Sequence, residues 1–197
     1  ADKKVLHTLE ERELKAGLAE VIKYGFIWDE EFFSFLKDKR KEIMNLDTQA
    51  VIKAIKISCA IKAEVVEEDE TEQGLRAILN YGHTIGHSLE AVTNYDCYRH
   101  GEAVAIGMVA AARIAHKLDM LTVKEVKEHE ELISDFGLPI RFEGIDHDQI
   151  INTLTKDKKV EDGVIRFILA EKIGKVKILS DISEAIIREV LAEIGGK

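Results

Sequence analysis

The stretch from Leu79 to Glu90, LNYGHTIGHSLE, places His83 and His87 four residues apart, with Gly82 and Gly86 directly before them and Asn80 upstream. Its apolar residues recur at helical spacing. Yet glycine costs a helix about 1 kcal/mol relative to alanine, and a buried imidazole must find partners. Two readings explain a sequence that accepts both penalties twice. One is a crowded helix whose histidines are satisfied in a core. The other is a metal or catalytic site.

Composition narrows the setting. The chain has 197 residues, 46% hydrophobic and 33% charged, enough for one well-cored domain. Pro139 is the single proline, which points to helices with few strand edges. A formal charge of −9 argues against nucleic acid or an anionic membrane as partner. Any bound anion must be met by a local cluster of Lys and Arg. Cys59 and Cys97 form neither a disulfide framework nor a zinc ribbon, and read as reduced, partly buried residues of a cytoplasmic protein. The opening ADKKVLHTLE lacks the apolar core of a signal peptide, and the run from Ala103 to Ala112 is too short to span a bilayer.

The apolar period predicts helices near 11–25, 29–41, 47–66, 71–93, 101–118, 122–136 and 147–157. In the acidic run EEDETE at 67–72, Asp69 and Glu72 have capping-box spacing for the fourth of these. Past Asp157 the period changes. Val164–Ala170 and Lys175–Leu179, joined through Gly174, read as a β-hairpin, and a last helix follows near 183–194. The expectation is a single, mainly α, multihelical domain over 1–197. No strand followed by G-x-G-x-x-G and no G-x-x-x-x-G-K-[ST] occurs, so the domain does not bring its own nucleotide fold.

On a continuous helix, Arg76, His87 and Asn80 fall at about 20°, 40° and 60° from His83, and Glu72 and Glu90 at about −20°. Ile78, Ile85 and Leu89 lie on the other side. Such a stripe suits the wall of a polar cleft better than a solvated face. Gly82 and Gly86 adjoin it and permit another backbone to come close. Histidines at i, i+4 can reach one metal, although a bare H-x-x-x-H is weak and here carries no protease base between its members. His100, before Gly101, sits where a helix dipole keeps the ring neutral, as a metal ligand or as an N-cap. Glu20, among apolar neighbours, requires a partner: Lys23 one turn on, or a metal. Lys62 has the same ambiguity. His7, His116, His129 and His147 stand in charged or terminal contexts and read as surface residues.

Together, AEVIKYG (19–25), EDETEQGLRAILNYGHTIGHSLE (68–90), HGEAVAIGM (100–108) and DKK (157–159) before a strand resemble 3-dehydroquinate synthase, in order from about Leu9 to Gly174. The resemblance is to the C-terminal, helical half of that enzyme. The N-terminal α/β half, which binds NAD, is expected to lie outside this sequence. The family converts 3-deoxy-D-arabino-heptulosonate 7-phosphate into 3-dehydroquinate and phosphate, in the shikimate pathway to aromatic amino acids. It uses NAD+ and one divalent metal, zinc or cobalt, and works as a homodimer.

The resemblance implies Glu20, His83 and His100 as metal ligands, which displaces the pairing of His83 with His87. It implies that His87 faces substrate as a proton-handling group and that Lys23 reaches a hydroxyl near the metal. Glu72 then orients Arg76 or a neighbouring lysine. Lys62 and Arg76 meet the substrate carboxylate, while Asn80 and Lys158, or Lys159 beside it, reach the phosphate. The implied chemistry is oxidation by NAD+, phosphate elimination, re-reduction, ring opening and an intramolecular aldol closure. Without an NAD domain the polypeptide is expected to bind metal weakly and turn nothing over.

Three rival readings remain at this point. An inosose or valiolone synthase has a substrate without a carboxylate, leaving Lys62 and Arg76 no partner. A polyol dehydrogenase of the glycerol dehydrogenase type usually carries Asp where Glu20 stands. A non-catalytic helical oligomerisation module would have no need of intact Glu20, His83, His87 and His100.

Overall fold

A computed structural model describes residues 3–69, 74–160, 165–180 and 182–196, without the side chains of 3–4 and 157–160. A 3-10 turn, Lys3–Thr8, leads into α1 (Glu11–Ile27), followed by α2 (Glu30–Asp38), α3 (Arg40–Met44) and the long α4 (Thr48–Glu68). A second 3-10 segment, Leu75–Asn80, precedes α5 (His83–Val92), α6 (His100–Lys117) and α7 (Val123–Asp135). The two-residue β1 (Phe142–Glu143) is followed by α8 (His147–Val160), the hairpin β2 (Arg166–Lys172) and β3 (Lys175–Ser180), then α9 (Glu184–Ile194) and β4 (Gly195–Gly196). The hairpin is antiparallel, and β4 pairs in parallel with β1. The mainly α expectation holds. Among the described residues no helix is long and apolar enough to cross a membrane.

The alanine-rich α6 is the axis of the core: every residue from Ala103 to Ala112 is buried, and α5, α1, α7, α9 and β2 pack around it. Small side chains on α6 bring its neighbours in until backbone meets backbone. A methyl group on Gly107 would sit 1.8 Å from the Gly82 carbonyl oxygen. Gly86 lies on the Ala103 carbonyl in the same interface, where an added Cβ would stand 3.1 Å away. The close approach read from the glycine pair is therefore what the fold contains.

The helix expected over 71–93 is broken. Gly82 adopts a left-handed backbone, φ 83°, that turns the chain between the 3-10 segment and α5. A side chain there would be strained and would also meet the Val104 carbonyl at 2.7 Å. The angles expected for Arg76 and Asn80 relative to His83 consequently do not apply, since they assumed one continuous α-helix. Asp69 ends α4 instead of opening an α-helix, but its carboxylate still caps. Its Oδ2 accepts from the backbone N–H groups of Gly74 at 2.8 Å and Arg76 at 2.9 Å. Glu72 lies outside the described residues. The helix expected over 29–41 is divided at Lys39.

Other expectations are corrected by burial. Cys59 and Cys97 are exposed rather than partly buried. His129 is fully buried, stacked on Phe26 with ring centroids 4.1 Å apart, because Val126, His129 and Ile133 form the inward stripe of α7. His116 and His147 are half-buried, and only His7 of the four is exposed.

Two outcomes follow. Gly107→Ala forces the α5 and α6 backbones apart and lowers unfolding free energy by about 3 kcal/mol or more, measured by chemical denaturation. Burial pushes the His129 pKa down to about 4, below an ordinary 6.5. The neutral ring therefore contributes stability in full above about pH 6.5, and this is lost as pH falls toward 4, on the order of 3 kcal/mol in total. His129→Leu removes about one proton from the uptake that accompanies acid unfolding, read from the pH dependence of stability.

Candidate metal centre

Three elements supply the centre. α1 carries Glu20 and Lys23, α5 opens with His83 and presents His87 one turn on, and α6 opens with His100. The start of α6 is fastened by Glu102, whose carboxylate accepts from the Arg99 backbone N–H at 2.9 Å and from the Arg12 guanidinium of α1 at 2.7 Å and 2.5 Å. The same Arg12 donates to the Cys97 carbonyl at 2.9 Å, so the loop before His100 is held to α1.

Glu20, His83 and His100 each offer one ligand atom, and these atoms lie within 4.8 Å of one another. The His83 ring lies 5.2 Å from those of both His87 and His100, centroid to centroid. His83 Nδ1 stands 3.2 Å from the Tyr81 carbonyl oxygen. A carbonyl can only accept, so Nδ1 bears the proton and Nε2 carries the lone pair. Nε2 then faces Glu20 Oε1 at 3.7 Å. Oε1 is a buried oxygen without a hydrogen-bond partner among the described residues. Two acceptors turned on one another repel, and a divalent cation bonded to both satisfies them. The donor chemistry, one carboxylate and two imidazoles, fits zinc or cobalt and leaves coordination positions open.

Charge around this cluster is arranged to keep the ring neutral. Burial pushes the His83 pKa down to about 4, and the Lys23 ammonium adds to the effect against the opposing pull of Glu20. Lys23 itself is 2% exposed, and its Nζ donates to Glu20 Oε2 at 2.6 Å. Burial lowers its pKa, Glu20 opposes that, and the nearby Lys62 lowers it further. Glu20 thus has one oxygen for Lys23 and one for the cluster. Lys23 and Lys62 are near enough to repel, although Lys62 stands on α4 with its side chain exposed.

The remaining expected residues are distributed as follows. His87 is exposed at the edge of the cluster, its ring centroid 5.9 Å from that of His100. Arg76, half-buried, and Asn80, exposed, belong to the 3-10 segment before Gly82. Lys158 and Lys159 lie in α8, and their side chains are outside the described ones. Sequence reasoning placed Glu90 on the polar face of His83 but gave it no role of its own, and gave none to the Tyr81 carbonyl. Glu90 is buried, with both carboxylate oxygens 3.3 Å from His100 Nδ1. Its position two turns after His83 on the same face was the available signal. A backbone carbonyl leaves no signal in a sequence. His87, Glu90 and His100 form a second group with ligand atoms within 4.8 Å.

A helical domain with a carboxylate–imidazole cluster between three of its helices is what the fold and site define together. The 3-dehydroquinate synthase C-terminal family matches residues 17–160. The 3-dehydroquinate synthase of Desulforamulus reducens is 49% identical over 193 residues, covering 98% of this chain and 54% of that protein. That of Thermodesulfovibrio yellowstonii is 46% identical over the same shares. The chain belongs to the 3-dehydroquinate synthase C-terminal family, and spans about half the length of the curated relatives it matches.

Among solved structures, a 2-epi-5-epi-valiolone synthase from Streptomyces hygroscopicus, with NAD+ and Zn2+ bound, superposes with a TM-score of 0.87 at 25% identity. The match covers 98% of this chain and 54% of that one. A 2-deoxy-scyllo-inosose synthase complexed with carbaglucose-6-phosphate, NAD+ and Co2+ gives 0.81 at 27% identity, covering 98% and 55%. The fold is that of the sugar-phosphate cyclases.

Proposed function

We propose that this chain is the metal- and substrate-binding half of a 3-dehydroquinate synthase, a phosphate-eliminating, carbon-ring-forming lyase. One observation carries the reading: the buried Oε1 of Glu20, without a hydrogen-bond partner among the described residues, facing the lone pair of His83 Nε2 at 3.7 Å, with a nitrogen of His100 in range. These three side chains would hold zinc or cobalt. The metal when bound supplies Lewis acidity toward a substrate hydroxyl, and NAD+ on a second, α/β domain supplies a reversible hydride acceptor.

The chain's own groups do the rest. Lys23, held by Glu20, places a buried positive charge beside the cluster, where it stabilises a hydroxyl oxygen as it loses its proton. His87, at the exposed edge, accepts and returns that proton at an imidazole nitrogen. Lys62 and Arg76 hold the substrate carboxylate, and Asn80 with Lys158 or Lys159 holds the phosphate. Glu72 orients Arg76 or a neighbouring lysine. An acidic protein thereby meets a multiply anionic substrate with a local excess of cations. Positioning contributes more than any single proton transfer, because the ring-forming aldol closure is intramolecular. The full-length enzyme is then a cytoplasmic homodimer.

The valiolone and inosose synthases share the fold, but 46–49% identity to the dehydroquinate synthases against 25–27% to those cyclases favours the carboxylate-bearing substrate.

Coexpression with the N-terminal half of a relative is expected to restore phosphate release from 3-deoxy-D-arabino-heptulosonate 7-phosphate, while the chain alone shows none. Turnover by the chain alone sinks this division of labour. With both halves present, Arg76→Ala raises KM by tenfold or more for this substrate. A second outcome needs no turnover. Zn2+ at 100 times its Kd raises unfolding free energy of the chain by about 2.7 kcal/mol, and Glu20→Gln or His83→Ala abolishes that gain in thermal unfolding.

A further inference from the structure

Glu90 is 6% exposed and lies on α5, two turns beyond His83. A buried carboxylate needs a donor, and among the described residues the donor opposite it is a single ring nitrogen. His100 Nδ1 stands 3.3 Å from Oε1 and 3.3 Å from Oε2, so the carboxylate is centred behind the ring. His100 has the opposite problem. It is the first residue of α6 and its side chain is half exposed, so its own helix does little to fix its rotamer or its tautomer.

We propose that Glu90 is a positioning residue for His100: its carboxylate accepts the Nδ1–H and thereby turns Nε2, with its lone pair, toward Glu20 and His83. A carboxylate can only accept, so the proton is fixed on Nδ1. The orientation of an exposed ring then follows from a buried group on another helix. The negative charge behind Nδ1–H makes Nε2 a better donor, as in other carboxylate–histidine pairs behind metals. His83 is treated alike, its Nδ1 held by the Tyr81 carbonyl at 3.2 Å. One histidine is thus oriented by a neutral acceptor and the other by a charged one.

The competing arrangement uses Glu90 as a ligand, together with His87 and His100, whose atoms also lie within 4.8 Å. The first cluster is preferred because it leaves an orphaned Glu20 oxygen, whereas the Glu90 carboxylate already has His100 for a partner.

The proposal rests on the reading of Glu20, His83 and His100 as ligands, and the test separates the two. Long-range 1H–15N correlation spectra of the metal-free chain at neutral pH should show His100 as the Nδ1–H tautomer; the Nε2–H tautomer overturns the proposal without any variant. Zn2+ affinity is then measured by competition with a chromophoric chelator, and the coordination sphere by the visible spectrum of the Co2+ form. Glu90→Gln is expected to weaken Zn2+ binding 10–100-fold, and Glu90→Asp, which keeps the charge, to restore most of it. Equal weakening in both variants marks a packing defect and overturns the proposal. So does Glu90→Gln binding as tightly as wild type while His100→Ala loses metal, a result that leaves the three ligands standing. If Glu90→Gln and His87→Ala abolish binding while Glu20→Gln and His83→Ala retain it, Glu90 is itself a ligand. That result removes the proposal and the ligand reading together.

Discussion

The contact on which the rest of this structure depends is that of the Gly82 carbonyl with the α-carbon of Gly107. It holds α5 and α6 at a separation that no side chain could occupy, since a Cβ on Gly107 would lie 1.8 Å from that oxygen. A second contact of the same kind fixes α1, where a Cβ on Gly101 would lie 1.9 Å from the Ala16 carbonyl. Glu20 is one turn beyond Ala16, and His100 is next to Gly101. The three donors of the cluster are therefore carried on three helices locked backbone to backbone. Rigid elements hold such geometry better than loops can, and here the cost of glycine within helices is the condition for it.

That constraint also decides what was legible in the sequence. Glu20, His83 and His100 could be named because their residue types and motif contexts are specific, and the helices because the apolar period is strong. The break at Gly82 could not be read from that period. A 3-10 segment followed by a left-handed glycine keeps apolar residues at intervals of three and four, so Ile78, Ile85 and Leu89 fit a continuous helix as well as a broken one. What breaks the helix is the left-handed backbone of Gly82, packed so close to the Val104 carbonyl of a different element that no side chain would fit there, and sequence spacing cannot see either. His129 differs: its neighbours KEHEEL suggested a surface, yet its spacing from Val126 and Ile133 marked the inward face. Charge content was weighed there where periodicity was the better guide.

Electrostatics follow from the same packing. A chain of net charge −9 places Lys23 in its interior with Glu20 as partner. Such a pair, its lysine buried and its carboxylate only half-buried, is seldom a source of net stability, because desolvation of the ammonium offsets the attraction. It is better understood as fixing the roles of the two Glu20 oxygens. Lys23 engages Oε2, and Oε1 is left directed at His83. The ammonium and burial both disfavour a proton on that ring, so the imidazole stays in the form that can donate its lone pair.

The break at Gly82 has a consequence for specificity. Fold alone does not distinguish substrates here, because a valiolone synthase superposes with a TM-score of 0.87 at 25% identity. Discrimination must lie in polar groups around the cluster. Were 71–93 one α-helix, Arg76 would be fixed relative to His83 by the helix itself, and could not shift without moving a member of the cluster. Instead Asp69, at the end of α4, receives the Arg76 and Gly74 backbone N–H groups. The 3-10 segment is thereby anchored to α4, the helix that also carries Lys62. Lys62 and the segment bearing Arg76 are thus tied to one helix, whereas Glu20, His83 and His100 are carried on three others. Such a division allows the recognising groups to change while the donor cluster is left in place.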